Sequence, residues 1–192
     1  MSSAIRPQGA IEAEASRRPL SVELSAEFRV IFDRDYAYVW HSLRRLGVAE
    51  ADCDDVANEV FVAVHKQFDR YDPARASRPW LFAFCARFAS DYRRLARHRY
   101  EATSEGEGTL TTSNDPETEA LRREANALLL AALDALDDER RQVFVLHEMD
   151  ELPIPEVARV LAIPVGTAYT RLRSARQEFT ASARRLQARG LR

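Results

Sequence analysis

The sequence has few of the residues on which most enzymatic and secreted folds depend. Its two cysteines, Cys53 and Cys85, lie in no C-x-x-C or Cys/His cluster, so we expect buried, reduced thiols rather than a disulfide or a structural zinc site. Its six glycines form no glycine-rich phosphate loop. The four histidines fall on separate predicted helices, without a nucleophile or metal ligand at usable spacing. We therefore expect no catalytic residue, no metal and no cofactor.

Long apolar runs are also missing. No window approaches the roughly 18 to 20 uninterrupted apolar residues of a membrane-spanning helix. The N-terminal sequence MSSAIRPQGAIEAEASRRPL does not resemble a signal peptide. The composition thus predicts a cytoplasmic protein without membrane insertion. Its 192 residues suffice for one medium domain or two small ones.

Charged residues are abundant but segregated along the chain. The net charge is -2, from 28 basic and 30 acidic residues, yet residues 50–59 carry five acidic residues and no basic one. Residues 87–99 carry five arginines against one aspartate, and residues 101–119 carry six acidic residues and no basic one. Seven arginines follow from residue 171, against one glutamate. Because partners respond to local fields, this pattern predicts acidic and basic surfaces with different partners.

One segment marks a domain boundary by its composition. Residues 101–118, EATSEGEGTLTTSNDPET, contain a single large aliphatic residue, too little apolar surface to offset the entropy of ordering. The predicted organisation is a disordered extension at 1–23, a helical domain at 24–100, a flexible acidic linker at 101–118, a second helical domain at 119–185 and a tail at 186–192.

Hydrophobic periodicity predicts an all-α fold in both domains. In the first, one helix ends at Gly47, a second spans about 51–69, and a third spans about 79–99 after the proline-containing loop RYDPARASRP. The apolar stripe of the third helix comprises Leu81, Phe84, Cys85, Phe88, Tyr92 and Leu95. In the second domain, one amphipathic helix reaches about Leu136 and another lies around Val143.

The end of the second domain reads as a helix-turn-helix. A short helix at 155–161 starts with a proline that suits a first turn, the turn AIP follows, and a second helix spans about 165–179. Ala168, Leu172 and Ala175 point inward at helical spacing, which leaves hydroxyls and arginines for DNA phosphates and base edges. An ordinary helical hairpin with a solvated arginine face is the alternative.

Two blocks of the chain resemble the extracytoplasmic-function (ECF) group of bacterial RNA polymerase sigma factors. The first is DCDDVANEVFVAVHKQFDRYDP followed by RPWLFAFCARFASDYRR, similar to the family's core-binding and -10 promoter segment. The second is LDALDDERRQVFVLHEMDELPIPEVARVLAIPVGTAYTRLRSAR, similar to its -35 promoter segment. The resemblance runs from about Phe28 to Phe179, with the two blocks in the family's order across an acidic linker.

The resemblance implies a role for each charged surface. The acidic helix is expected to bind core RNA polymerase through Asp55, Asn58 and Glu59, with a solvated acidic face as the alternative. The -10 element is expected to be bound by Tyr71, Arg78, Trp80, Arg87, Arg93, Arg94 and Arg97. Among these, aromatic stacking on extruded bases is expected at Tyr71 and Trp80, although a place in the core is an alternative for Trp80. The -35 element is expected to be bound by Thr167, Tyr169, Thr170, Arg171, Arg173, Ser174 and Arg176.

The resemblance also implies partners and leaves some features open. The expected partners are core RNA polymerase, promoter DNA and an anti-sigma factor. Ala76, Pro79, Tyr169 and Ser174 depart from the family pattern, so the promoter sequence cannot be taken from a relative. A regulator that binds operator DNA without polymerase would leave the acidic helix unexplained, and a protein-binding scaffold would not need the terminal arginines.

Overall fold

The computed structural model describes residues 25–100 and 116–189, with side chains described for 25–96 and 122–189. No β-strand occurs in these ranges, so the predicted all-α class is confirmed. The first helical group comprises α1 (Ala26–Arg45), α2 (Cys53–His65) and α3 (Ser77–Tyr100). The second helical group comprises α4 (Pro116–Leu133), α5 (Asp138–Phe144), α6 (Ile154–Val160) and α7 (Val165–Ala188).

Local interactions define both ends of helix α1. The Ser25 side chain caps it by accepting a hydrogen bond from the Phe28 amide at 3.2 Å. Arg44 and Arg45 lie in its last turn, where cations favour the negative helix end. Gly47 follows with a φ of +95°, a conformation that favours glycine, and turns the chain toward α2.

Helices α1, α2 and α3 pack around aliphatic and aromatic side chains. Val39, Val60 and Leu81 are completely buried, and Phe28 meets Phe61 edge to face at 6.4 Å. Both cysteines are buried and free, as predicted. The prediction that Leu95 completes the apolar stripe is wrong, since its side chain is 59% exposed. Helix α3 has 24 residues and α2 has 13, so part of α3 extends without α2 beside it.

Two predicted element boundaries are also wrong. The second helix ends at His65 rather than near Asp69, and a separate 3-10 turn at Phe68–Arg70 replaces its last turn. Residues 116–118 belong to α4 and not to a linker, because Pro116 suits a first helical turn and Glu117 lies at its positive end. The rest of the predicted linker, 101–115, and residues 1–24 lie outside the described residues.

The second helical group contains the predicted helix-turn-helix. Helix α5 continues into a π-helical turn at Val145–Met149, and α6 and α7 follow. The turn between α6 and α7 places Ala162 at a φ of +52°. Ala168, Leu172 and Ala175 are buried, as predicted, and α7 continues beyond residue 179 to Ala188. The buried side chains of the two groups form one continuous cluster in the described part of the chain.

Candidate functional site

The acidic face of α2 lies open to solvent. Asp55, Asn58 and Glu59 are all exposed and lie three and four residues apart, so they share one face of the helix. Within the described residues none of the three forms a hydrogen bond or a salt bridge. Val62, 55% exposed, extends the same face by one turn. This surface, called the α2 acidic face below, combines negative charge with an apolar side chain and has no partner in the part of the chain that the structure describes.

Aromatic rings form the start of α3 and the loop before it. Tyr71 lies 5.0 Å from Trp80 between ring centroids, and Trp80 meets Phe84 edge to face at 5.3 Å. Tyr71 and Trp80 are half-buried, so each ring packs on the core and keeps a part in solvent. The Trp80 side chain therefore packs against the core with one part and is accessible to solvent with another.

A buried carboxylate that the sequence did not reveal fixes the start of α3. Asp35 on α1 is 1% exposed and accepts hydrogen bonds from Ser77 Oγ at 2.6 Å and from Arg34 at 2.8 Å. The Arg78 guanidinium lies 3.7 Å from its other oxygen. Burial by itself would raise the pKa of Asp35, but the hydrogen bonds from Arg34 and Ser77 and the positive charges of Arg34 and Arg78 together outweigh burial and lower it. Asp35 is therefore charged and holds Ser77 and Arg78 against α1.

The arginines of the basic face of α3 differ in whether they lie on the open surface or contact the second helical group. Arg87 and Arg94 are exposed, although Arg94 pairs with Asp91 at 3.1 Å on the same helix. Arg93, 21% exposed, forms a salt bridge with Asp138 of α5 at 2.5 Å. The side chain of Arg97 lies outside the described residues. The structure thus leaves two of the four predicted phosphate-binding arginines on the open surface and turns a third toward the second helical group.

Helix α7 presents its predicted polar residues outward. Tyr169 is 57% exposed, Arg173 is exposed, and Thr170 donates a hydrogen bond to the Gly166 carbonyl at 3.0 Å. Thr167 and Ser174 are half-buried. This surface, called the α7 polar face below, combines hydroxyls, a phenol and arginines, which are the groups that contact phosphates and base edges.

Two arginines of the α7 polar face have internal carboxylate partners. Arg171 donates to Glu139 of α5 at 2.5 Å, and Arg176 donates to Glu148 of the π-helical turn at 2.6 Å. Arg173 makes no hydrogen bond or salt bridge within the described residues. The sequence alone could not distinguish the paired arginines from Arg173, because Glu139 and Glu148 lie about thirty residues before the arginines that they contact.

Comparison with known proteins identifies both groups. The family model for sigma-70 region 2 matches residues 31–99, and that for sigma-70 region 4 matches residues 126–179. The chain is 32% identical over 146 residues to the RNA polymerase sigma factor CnrH of Cupriavidus metallidurans, covering 72% of this chain and 76% of that relative. It belongs to the ECF group of RNA polymerase sigma factors. As such it serves promoter recognition and transcription initiation.

Other relatives and solved structures agree with this assignment. This sigma factor is 28% identical over 144 residues to the ECF sigma factor SigW of Bacillus subtilis, covering 70% of this chain and 77% of SigW. The structure of CnrH in complex with the cytosolic domain of CnrY matches with a TM-score of 0.57 at 27% identity, covering 80% of this chain and 85% of CnrH. RpoE of Bartonella quintana, in complex with the anti-sigma factor NepR, matches at 13% identity with a TM-score of 0.59, covering 82% and 97%, and shows a common fold.

Regions 2 and 4 of this sigma factor meet at a cleft of about 1320 Å³. Tyr71, Arg78 and Trp80 line one wall, while residues 149–152 and α6 of region 4 line the other. Three of the seven -10 candidates predicted from the sequence therefore lie in one cleft and face region 4, whereas Arg87, Arg93 and Arg94 lie outside its lining. Among residues 25–100 and 116–189, no helix has the length and apolar character needed to span a bilayer, and no group of His, Cys, Asp or Glu could hold a metal ion.

Proposed function

We propose that this sigma factor binds core RNA polymerase through the α2 acidic face and promoter DNA through α3 and the α7 polar face. The observation that supports this most is the separation of three surfaces on one small chain, one acidic and two basic. An acidic face suits a basic protein partner, speeds encounter and fixes register. Arginine-bearing helices suit phosphate and base contacts.

At the -10 element, the phosphate contacts are assigned to Arg87, Arg93, Arg94 and Arg97. Tyr71 and Trp80 would stack on bases extruded from the duplex, since each ring keeps an accessible part. Arg78 lines the same cleft as both rings. Because Asp35 fixes Ser77 and Arg78, the site is held in place before DNA arrives.

At the -35 element, α7 would lie in the major groove, as the second helix of a helix-turn-helix does. The contacts are assigned to Thr167, Tyr169, Thr170, Arg171, Arg173, Ser174 and Arg176. Arg173 is free to bind at once, whereas Arg171 and Arg176 must exchange Glu139 and Glu148 for DNA.

The same proposal covers the remaining assignments. The two helical groups act as the two binding domains, the second of them beginning with α4 at Pro116, and residues 101–115 act as their linker. Catalysis belongs to the polymerase, so the sigma factor itself is not an enzyme and works in the cytoplasm. An anti-sigma factor is a further partner, a proposal supported by the two neighbouring structures whose sigma factors are bound to CnrY and NepR.

Run-off transcription with purified core polymerase on a promoter library tests this function. The wild-type protein should direct specific starts, and the selected sequences should define both promoter elements. Asp55→Lys with Glu59→Lys should abolish polymerase capture and specific transcription. Glu124→Lys, an exposed carboxylate on α4, is the matched control and should retain both. A protein that bound the DNA library without polymerase, and gave no specific starts with it, would support the operator-binding alternative.

A further inference from the structure

Two large apolar side chains are exposed on the same side of helix α7. Val165 in the first turn is 43% exposed, and Tyr169, four residues later, is 57% exposed. Residues four apart lie one above the other on a helix surface. The other exposed large apolar residues of the described ranges, Val30, Val62 and Leu95, each lie on a different helix. Within these ranges, Val165 and Tyr169 are thus the two that share a helix face.

A cation continues the same line of side chains. Arg173 lies four residues after Tyr169, is exposed, and makes no hydrogen bond or salt bridge within the described residues. Gly166 leaves the space next to Val165 open, since a Cβ atom there would have no neighbour within 4 Å. This line, called the α7 strip below, consists of Val165, Tyr169 and Arg173. It presents an aliphatic group, an aromatic ring and a guanidinium, in this order from the start of the helix.

The α7 strip matches groups that base pairs present in the major groove. Thymine is the one base with a methyl group there, and apolar side chains contact this methyl, whereas arginine suits the N7 and O6 atoms of guanine. Eight residues of α-helix span about 12 Å, and successive base pairs are about 3.4 Å apart. A helix that lies along the groove would therefore bring the strip past about three to four base pairs.

A phosphate-binding surface or a protein-binding surface accounts less well for the same residues. Phosphates are bound by charged groups, hydroxyls and amides, and they need no exposed valine. A protein partner would cover the apolar pair, but the exposed Arg173 and the exposed Thr170 that follow it on the helix suit the polar and anionic surface of DNA. The composition of the strip therefore favours base edges.

We infer that Val165 and Tyr169 select thymines in the -35 element by contact with their methyl groups, within about four base pairs of the guanine that Arg173 contacts. The inference rests on the proposed function, in which α7 lies in the major groove. Since Tyr169 departs from the family pattern, the resulting thymine preference belongs to this chain.

Deoxyuridine differs from thymidine only in lacking this methyl group, so base replacement tests the inference. The probe is the promoter that the run-off library selects, with each thymine of its -35 element replaced in turn. The measurement is its affinity for the sigma factor assembled with core polymerase. Replacement at one or two positions should weaken binding about threefold to fourfold, the equivalent of one buried methyl group. Equal affinities at every position, or a selected -35 element without thymine on either strand, would overturn the inference.

Protein variants connect this effect to the α7 strip. Val165→Ser with Tyr169→Ser should remove the difference between thymine and deoxyuridine, whereas Val30→Ser, at an exposed valine of α1, should preserve it. Circular dichroism of both proteins should match the wild type, because all three side chains are exposed. A double variant that still distinguishes the two bases would overturn the inference. Loss of polymerase capture by the double variant, with no effect of deoxyuridine on the wild type, would assign the apolar pair to a protein partner instead. A library that selects no -35 sequence would refute the proposed function, and the inference with it.

Discussion

Ser77 donates its hydroxyl hydrogen to the buried carboxylate of Asp35 at 2.6 Å, which joins the first turn of α3 to the middle of α1. Asp35→Ala removes the acceptor of this bond and the partner of Arg34. Because hydrogen bonds to a charged group stabilise by about 1.5–3 kcal/mol, we expect a loss of about 2–3 kcal/mol in the free energy of unfolding. Urea unfolding measures it. Asp33→Ala, on the exposed side of the same helix, should change it by less than about 0.5 kcal/mol, and an equal loss in both would contradict this account.

The same carboxylate predicts a specific dependence on pH. The pKa of Asp35 lies below its ordinary value of 3.8, because the hydrogen bonds from Arg34 and Ser77, with the charges of Arg34 and Arg78, outweigh its burial. Near pH 3.8 the native state therefore binds fewer protons than the unfolded state. The stabilisation that ionised Asp35 provides is complete above pH 3.8 and is lost as the pH falls through the lower pKa of the native state. The difference in unfolding free energy between wild type and Asp35→Asn should be constant from about pH 7 to 5 and shrink below about pH 4. Growth of this difference on acidification would show the opposite sign.

Two opposite substitutions near the helix-turn-helix should both stabilise region 4. Ala162 has a φ of +52°, where a Cβ atom is strained, so Ala162→Gly should add about 0.5 kcal/mol after the entropic cost of glycine. Gly166 lies in the first turn of α7 with open space around its Cα, so Gly166→Ala should add about 0.5–1 kcal/mol through helix propensity. Chemical unfolding of both variants checks the pair. A stability loss in Ala162→Gly would argue against the left-handed turn.

Release of the α7 arginines should strengthen binding to DNA. Glu139→Gln removes the carboxylate that holds Arg171, and an exposed ion pair is worth at most about 1 kcal/mol, so affinity for a -35 duplex should rise up to about fivefold at low salt. Fluorescence anisotropy at several salt concentrations measures this. Glu124→Gln makes the same charge change without an arginine partner in α7 and should have a smaller effect. Equal gains in both variants would assign the effect to net charge alone.

Both thiols should be unreactive in the native protein. Burial raises the pKa of Cys53 to about 12 and also raises that of Cys85, so almost no thiolate exists near pH 8. A thiol-reactive dye should label neither cysteine in buffer and both in denaturant. Rapid labelling of one cysteine in buffer would indicate local opening of the first helical group.

The sequence allowed prediction of the helices and surfaces that depend on local spacing. Ala168, Leu172 and Ala175 are buried as their spacing predicts, and the α2 acidic face is exposed. The extent of α3 was harder to predict, because the burial of Leu95 depends on how far α1 and α2 reach beside it. The burial of Asp35 and of Asp150 could not be predicted at all. Each is an ordinary acidic residue in the sequence, yet Asp35 accepts a hydrogen bond from Ser77, 42 residues later, and Asp150 accepts one from Tyr38, 112 residues earlier.

Gly47 links three parts of the molecule through one backbone position. A side chain there would overlap Arg141 Nη1 of α5, press on Arg93 Cδ of α3 and have to adopt a φ of +95°. A substitution at this codon would thus disturb the turn after α1, the contact with α5 and a residue assigned to the -10 element at the same time. Loss of transcription from such a change would report on the architecture of the whole protein and not on a single binding surface.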